Sequence, residues 1–533
     1  MIAFVLLFGA LPMNNIYDEL SNMEFTSIKA YAVTPEEFTH ADDDNGDFTV
    51  TIAPSQLAAY SQQCQIYDDY HQSDKLVISS MGGESSSRFF VEGFEGIGTE
   101  DCPFGGSVSI DMNNSIVLNL DAPLFNYVYD SATINNNGNA FEISREYSQD
   151  EKDALDETHM DTTPLLAKYV KHDDSNSNAT WNIKVVHPTA GEDPYLGNFG
   201  GFIGSMCDSA VLDLNITMNK VDANDNISPK ILGYNTDLGL ICGTMEENSS
   251  LNVSLSATRN IQIIDNSGGS ESEMGHVGGI VGKMGFGSTL NYTGTNIQTS
   301  ATQIKTSVSE RYAGGIVGYN DGGTVKITLP SGVSAYPITQ YIQGTAGAGG
   351  IYGYYKPAAP IEGDGLTSEE TEKNNLNSML DTNNFSINCQ VNGGGYDGGL
   401  FGVLESEYDY SISGTGTVTS KHNTGSAVGY GGLIGRYFSS DLSKTLLIGA
   451  VTATPTKTSD ASYFGGGIAF VGESMDKDEN GRDVTNNGSA YVKFDGFTLS
   501  NAAGANAMTF GGLAAKADQA FVDANKPNCV GRF

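Results

Sequence analysis

The sequence predicts an all-β chain wound as a right-handed parallel β-solenoid (β-helix) of about nine to eleven coils, with an N-terminal cap and two short helical insertions. Three observations carry that prediction. A glycine-based anchor recurs along the chain, a short turn and an alternating strand-like segment follow each copy, and helical patterning is absent from the repeat bodies.

The anchor reads Gly-Gly-hydrophobic-hydrophobic-Gly. It stands at Gly200-Gly-Phe-Ile-Gly204, Gly278-Gly-Ile-Val-Gly282, Gly314-Gly-Ile-Val-Gly318, Gly349-Gly-Ile-Tyr-Gly353, Gly398-Gly-Leu-Phe-Gly402 and Gly431-Gly-Leu-Ile-Gly435. Degenerate copies begin at Gly239, Gly466 and Gly511, and the intervals between first glycines are 39, 39, 36, 35, 49, 33, 35 and 45 residues. After the anchors come segments such as Val211-Leu-Asp-Leu-Asn-Ile-Thr217, Leu251-Asn-Val-Ser-Leu255 and Thr324-Val-Lys-Ile-Thr328, whose period of two marks strands. One unit of this length holds two or three short strands and cannot close a core alone, so successive units must stack. Paired glycines suit such a stack, since lacking Cβ they permit sharp corners and close approach of one coil to the next. A propeller blade has an overlapping period but demands more alternating segments than the sequence contains.

Residues 1–32 begin with the apolar run Met1 to Pro12, the length of a secretory core, and Ala30-Tyr31-Ala32 has the small-x-small form of a cleavage site. They are assigned as a signal segment, with a packed N-terminal helix as the competing reading. Residues 33–90, with strand-like Phe48-Thr-Val-Thr-Ile52 and Lys75-Leu-Val-Ile-Ser79, are assigned as the cap. Residues 91–196 supply the first coils and 197–533 the anchored array. Capping boxes at Ser148-Gln-Asp-Glu151 and Thr367-Ser-Glu-Glu370 predict helical inserts near 148–160 and 367–380, and the second accounts for the 49-residue interval.

The anchors resemble the GLUG motif of large secreted and surface proteins of bacteria, over about residues 197 to 515. Gly96-Ile-Gly-Thr-Glu-Asp-Cys-Pro-Phe-Gly-Gly106 is similar to a segment that opens such arrays. Leu240 replaces a second glycine, and no protease motif accompanies the array. The resemblance therefore implies a fold and a habitat, an extracellular or cell-surface adhesin-like protein, and no chemistry.

Composition narrows the partners. The 533 residues carry 27 Lys and Arg against 64 Asp and Glu, a net charge of −37, which opposes phosphate backbones and anionic membrane surfaces. Glycine, 65 residues, is enriched over its usual ~7% while proline is only 15, so neither collagen nor Pro-rich disorder fits. No later stretch has the ~18 apolar residues of a membrane helix. The six cysteines are widely spaced and read mostly as small buried hydrophobes. Asp476, Asp478 and Asn480, with Gly481 at the turn, match the first half of a calcium loop, but its twelfth position is Asn487. The competing reading is a solvated acidic turn. The seven histidines show no metal-ligand spacing, and Lys283 after Gly278 lacks the Ser or Thr of a phosphate loop. The expected function is non-catalytic and structural or adhesive, toward a host or cell-surface glycan or protein, with self-association open. The alternative is a β-helix polysaccharide lyase or glycoside hydrolase, which needs two carboxylates in a groove.

Overall fold

A computed structural model of the chain describes residues 41–42, 48–66, 75–79, 88–91, 94, 96–99, 104, 107–111, 116–120, 124–128, 133–135, 141–144, 166–169, 179–185, 202–206, 209–218, 230–233, 237–257, 262–265, 275–295, 303–307, 309–328, 341–357, 386–406, 408, 410–412, 416–422, 427–439, 445–457, 461–472, 491–500 and 514–517. The signal segment, both helical inserts, and Asp476, Asp478 and Asn480 lie outside the described residues. All the described residues belong to the unit that runs from Phe38 onward.

Apart from Ala41–Asp42, the described strands of this unit lie in parallel sheets, and the chain revisits those sheets in a fixed order. From Val211 one coil runs through Val211–Met218, Lys230–Gly233, Leu238–Gly239 and Cys242–Met245, and the next repeats the circuit with Ser250–Ala257, Gln262–Asp265, Val277–Gly278 and Val281–Met284. Each strand pairs in parallel with its counterpart one coil on, as Val211↔Ser250, Lys230↔Gln262, Leu238↔Val277 and Cys242↔Val281 show. Four walls result, numbered in chain order from Val211–Met218, with ten, eight, seven and eleven strands. This is a parallel β-solenoid, in which neighbouring coils are spaced by the ~4.8 Å of a β-ladder.

The anchor makes the corner between walls 3 and 4. Gly278 ends wall 3, Gly279 and Ile280 turn, and Val281 opens wall 4. Steric contact explains the glycines. A Cβ on Gly278 would stand 1.8 Å from Val281 O, one on Gly279 2.0 Å from Gly315 O of the next coil, and one on Gly282 2.7 Å from Gly243 O of the previous coil. The two apolar residues point inward and are fully buried, as at Ile280 and Val281. Their backbone is held by the following coil, with Ile280 N–H donating to Ile316 O at 2.9 Å.

Two features of the anchor frame come from the ladder alone. Ile434 pairs with Ile468 and Gly431 with Gly465, so this copy begins at Gly465 and not at Gly466. Gly467 then takes the place of a buried leucine. Wall 4 also extends upstream of the first anchor, through Ile97↔Phe125, Phe125↔Leu166 and Leu166↔Ile203. In sequence these levels include Ala122-Pro-Leu-Phe125 and Thr163-Pro-Leu-Leu166, with proline where the anchor has its second glycine.

The segments Phe48–Ile52 and Lys75–Ser79 join wall 1 in parallel, and Ala41–Asp42 adds to the far edge of Phe48–Ile52 in the antiparallel sense. Between them lies a helix at Leu57–Ile66, which the sequence pattern did not predict. Its entry is a 3-10 turn at Pro54–Gln56, where Gln56 Oε1 accepts the Ala53 N–H at 2.8 Å, and Leu57 and Tyr60 bury themselves in the core. Wall 1 ends at Thr324–Thr328. After residues 358–385, a three-stranded sheet of Tyr410–Ile412, Thr445–Ile448 and Tyr491–Phe494 occupies the same stage of the circuit. No described helix is long and apolar enough to cross a membrane.

Candidate functional site: an aromatic corner outside the coil

Most buried apolar residues form one cluster inside the coils. A second cluster is separate from it, built on Tyr354, Tyr396 and Val403 with Tyr312, Tyr319, Phe438 and Phe470 packed against them. It lies on the outer side of the corner between walls 3 and 4, and two ladders supply it. In wall 3 the register runs Tyr312↔Gly347↔Tyr396↔Gly429. In wall 4 it runs Lys283↔Tyr319↔Tyr354↔Val403↔Arg436↔Phe470. Glycine alternating with tyrosine in wall 3 makes room for the rings of wall 4. A Cβ on Gly347 would meet Tyr312 Cδ1 at 3.3 Å and Val403 Cγ2 at 3.4 Å.

The rings stack along the coil axis. His276 lies 4.7 Å from Tyr319, Tyr319 lies 4.5 Å from Tyr354 at 4°, and Tyr312 tilts against Tyr354 at 5.1 Å. Farther along, Arg436 sits 4.9 Å over Phe438, 5.3 Å over Tyr396 and 5.7 Å over Phe470. A guanidinium among three rings gains cation–π attraction that helps offset its lost hydration. Because ring faces cover one another, the corner presents ring rims to solvent. Tyr312, Tyr319, Phe438 and Phe470 are half-buried, while Tyr354, Tyr396 and Val403 are buried.

Polar groups frame this strip. The Tyr354 hydroxyl donates to the Glu405 carboxylate, and Lys356 Nζ stands 3.8 Å from Glu405 Oε1. Burial, and then the nearby Glu405, push the Tyr354 phenol well up, while burial and then Asp321 raise Tyr319 to about 12, so both remain hydroxyls at neutral pH. At the other end Asp237 accepts the backbone N–H of Gly275 at 3.0 Å and of His276 at 2.9 Å, and the Thr244 hydroxyl at 3.3 Å. Burial still raises its carboxyl above the usual range. His276 accepts the Tyr312 backbone N–H on Nδ1 at 3.3 Å, and burial followed by the charges of Arg311 and Lys283 pushes its pKa down to about 3.

Of the residues singled out from sequence, Lys283 stands in this corner and Cys242 and Cys389 are buried inside the coils. His276 and His422, scattered in sequence, occupy different environments: the outer corner and the interior. The tyrosine cluster was not anticipated from the even spread of tyrosines along the repeats. Its signal lies in the anchor frame, two residues before the first glycine (Tyr312, Tyr396) and five after it (Tyr319, Tyr354). Among the described residues no three His, Cys, Asp or Glu side chains gather in a way that could hold a metal ion.

Fold and corner together define a class, a parallel β-solenoid with an outward aromatic strip along one edge. No protein-family model, curated protein or solved structure matches the chain.

Proposed function

We propose that this chain is a non-catalytic adhesive or structural protein of the secreted or cell-surface kind, a bacterial GLUG-repeat protein with right-handed coils, about nine to eleven in number, closed by an N-terminal cap. Its ligand is a glycan on a host or cell surface, and its recognition strip is the aromatic corner.

The observation that carries this reading is the corner itself. A soluble coil with no external partner has no need to gather seven large apolar side chains and an arginine outside its own core. Rims of Tyr and Phe offer apolar contact to the ring hydrogens of a sugar, while Glu405, Lys356 and the tyrosine hydroxyls offer hydrogen bonds to its hydroxyl groups. Alternation of these groups from coil to coil suits a chain laid along the corner, and modest contacts repeated along it add up on a multivalent surface.

The test is binding of wild type and a Tyr319→Ser, Phe438→Ser double variant to an array of neutral and acidic oligosaccharides. Both substitutions fall on half-buried rings outside the main core. The expected result is binding by wild type that falls at least tenfold in the variant while its circular dichroism is unchanged. Equal binding by both proteins would exclude the corner as the recognition strip.

A further inference from the structure

Among the described residues, His422 and Asp397 stand inside the coils at inward positions that are apolar in the coils before them. In wall 2 the inward positions run Ile231, Ile263, Ile304, Ile342 and Val391, and the next is His422. In wall 3 they run Val277, Ala313 and Ala348, and the next is Asp397. His422 belongs to the coil after that of Asp397, and its Nδ1 lies 3.1 Å from Asp397 Oδ2, both side chains having 0% exposure. The same Nδ1 lies 2.9 Å from Val391 O, an atom that only accepts, so Nδ1 carries hydrogen.

We propose that Asp397 and His422 hold one further proton between them in the folded chain, and that this shared proton is a pH-sensitive latch between two successive coils which weakens as the pH rises. Without it the pair would be a carboxylate beside a neutral imidazole, a net negative charge buried in an apolar interior. With it the pair is neutral, whether the proton resides on the carboxyl or on the ring.

The groups facing the pair fit this reading. Cys389 on the adjoining strand of wall 2 stays a thiol, its pKa pushed up to about 12 by burial and then by Asp397. Tyr430 stacks on His422 at 5.4 Å and its hydroxyl pairs with that of Ser420 at 2.8 Å, both groups uncharged. Backbone N–H groups of Gly393 and Ala348 face Asp397, yet burial outweighs them and His422 and raises its carboxyl. On the following strand the ladder sets Lys457 opposite His422.

The sign follows from the unfolded chain, where Asp titrates near 3.9 and His near 6.5. Above about pH 6.5 the unfolded pair is empty while the folded pair keeps its proton, so the folding equilibrium constant falls up to tenfold per pH unit. Between about pH 4 and 6.5 both states hold one proton and the contribution is flat and full.

The experiment counts protons released when the full chain is denatured at about pH 7.3, below the thiol range, in unbuffered solution held by a pH-stat. Wild type is expected to release about one proton more than Asp397→Asn. Equal counts would overturn the proposal. Should Asp397→Asn not fold, Asp237→Asn, which removes another carboxyl raised by burial, replaces it. Release of about one proton by that variant supports the latch, and absence of release from it or from wild type refutes it.

Discussion

His276 shows how a residue that looks unremarkable in sequence sets a pH dependence. Folding strips its water and lines it up with Tyr319, while the Tyr312 N–H occupies the nitrogen that would otherwise take a proton. A folded pKa of about 3 lies below the unfolded ~6.5, so the stability tied to the neutral ring is fully present above pH 6.5 and is lost as the pH falls toward 3. His276→Phe keeps a ring in the stack and removes the titration. Thermal midpoints measured from about pH 6.5 to 4.5 should therefore fall less in the variant than in wild type. Parallel decline in the two proteins would mean that His276 accepts a proton without penalty. His276 and the Asp397–His422 pair act on opposite sides of pH 6.5, so between them they favour a stability maximum close to that pH.

At the scale of the element, the anchor is a steric device. Gly279→Ala would bring a Cβ to 2.0 Å from a backbone oxygen of the next coil, which no rotamer change relieves. Such overpacking costs about 1–3 kcal/mol. Gly394→Ala is the matched control, because its nearest neighbour would be Thr345 O at 3.7 Å, an ordinary contact. Denaturant unfolding should separate the two variants by most of that cost. If Gly279→Ala unfolds with Gly394→Ala, close approach is not why the anchor is glycine. This device also explains what could be read from sequence. Three glycines and two inward apolar residues are each forced by contact with a neighbouring coil, so they recur, and from them the parallel all-β fold follows. The frame slips where contact is the only guide: at Gly465-Gly466-Gly467 three glycines in a row offer two registers, and the Ile434↔Ile468 ladder selects one. Upstream, proline replaces glycine at Pro123 and Pro164, so those levels of wall 4 carry no visible anchor. The helix at Leu57–Ile66 begins on Pro54 and Gln56, with a half-formed capping signal in place of a Ser or Thr box. The corner was illegible for another reason. Its rings come from two strands per coil at intervals of 33 to 49 residues, and only the register aligns Tyr319 with Tyr354 and Tyr312 with Gly347.

For the whole molecule, a stack of coils makes stability a sum of near-neighbour interfaces and turns any outward residue into a row. Wall 1 carries a polar row on its outer face, in which Asn252 donates to Asp213 at 2.6 Å and Asn291 to Asn252 at 2.7 Å. The corner between walls 3 and 4 carries an aromatic row instead, and the acidic chain as a whole, at −37, repels anionic polymers and favours solubility. The proposed role is binding without chemistry. A depolymerase would need an acid and a base held at fixed separation across a bound sugar. The most direct test incubates the full chain with each polysaccharide it binds and assays the products for new reducing or unsaturated ends. A purely adhesive corner predicts retention of the polymer with no new ends, and loss of retention in the Tyr319→Ser, Phe438→Ser variant. Steady release of new ends, abolished by replacing one pair of carboxylates, would contradict it.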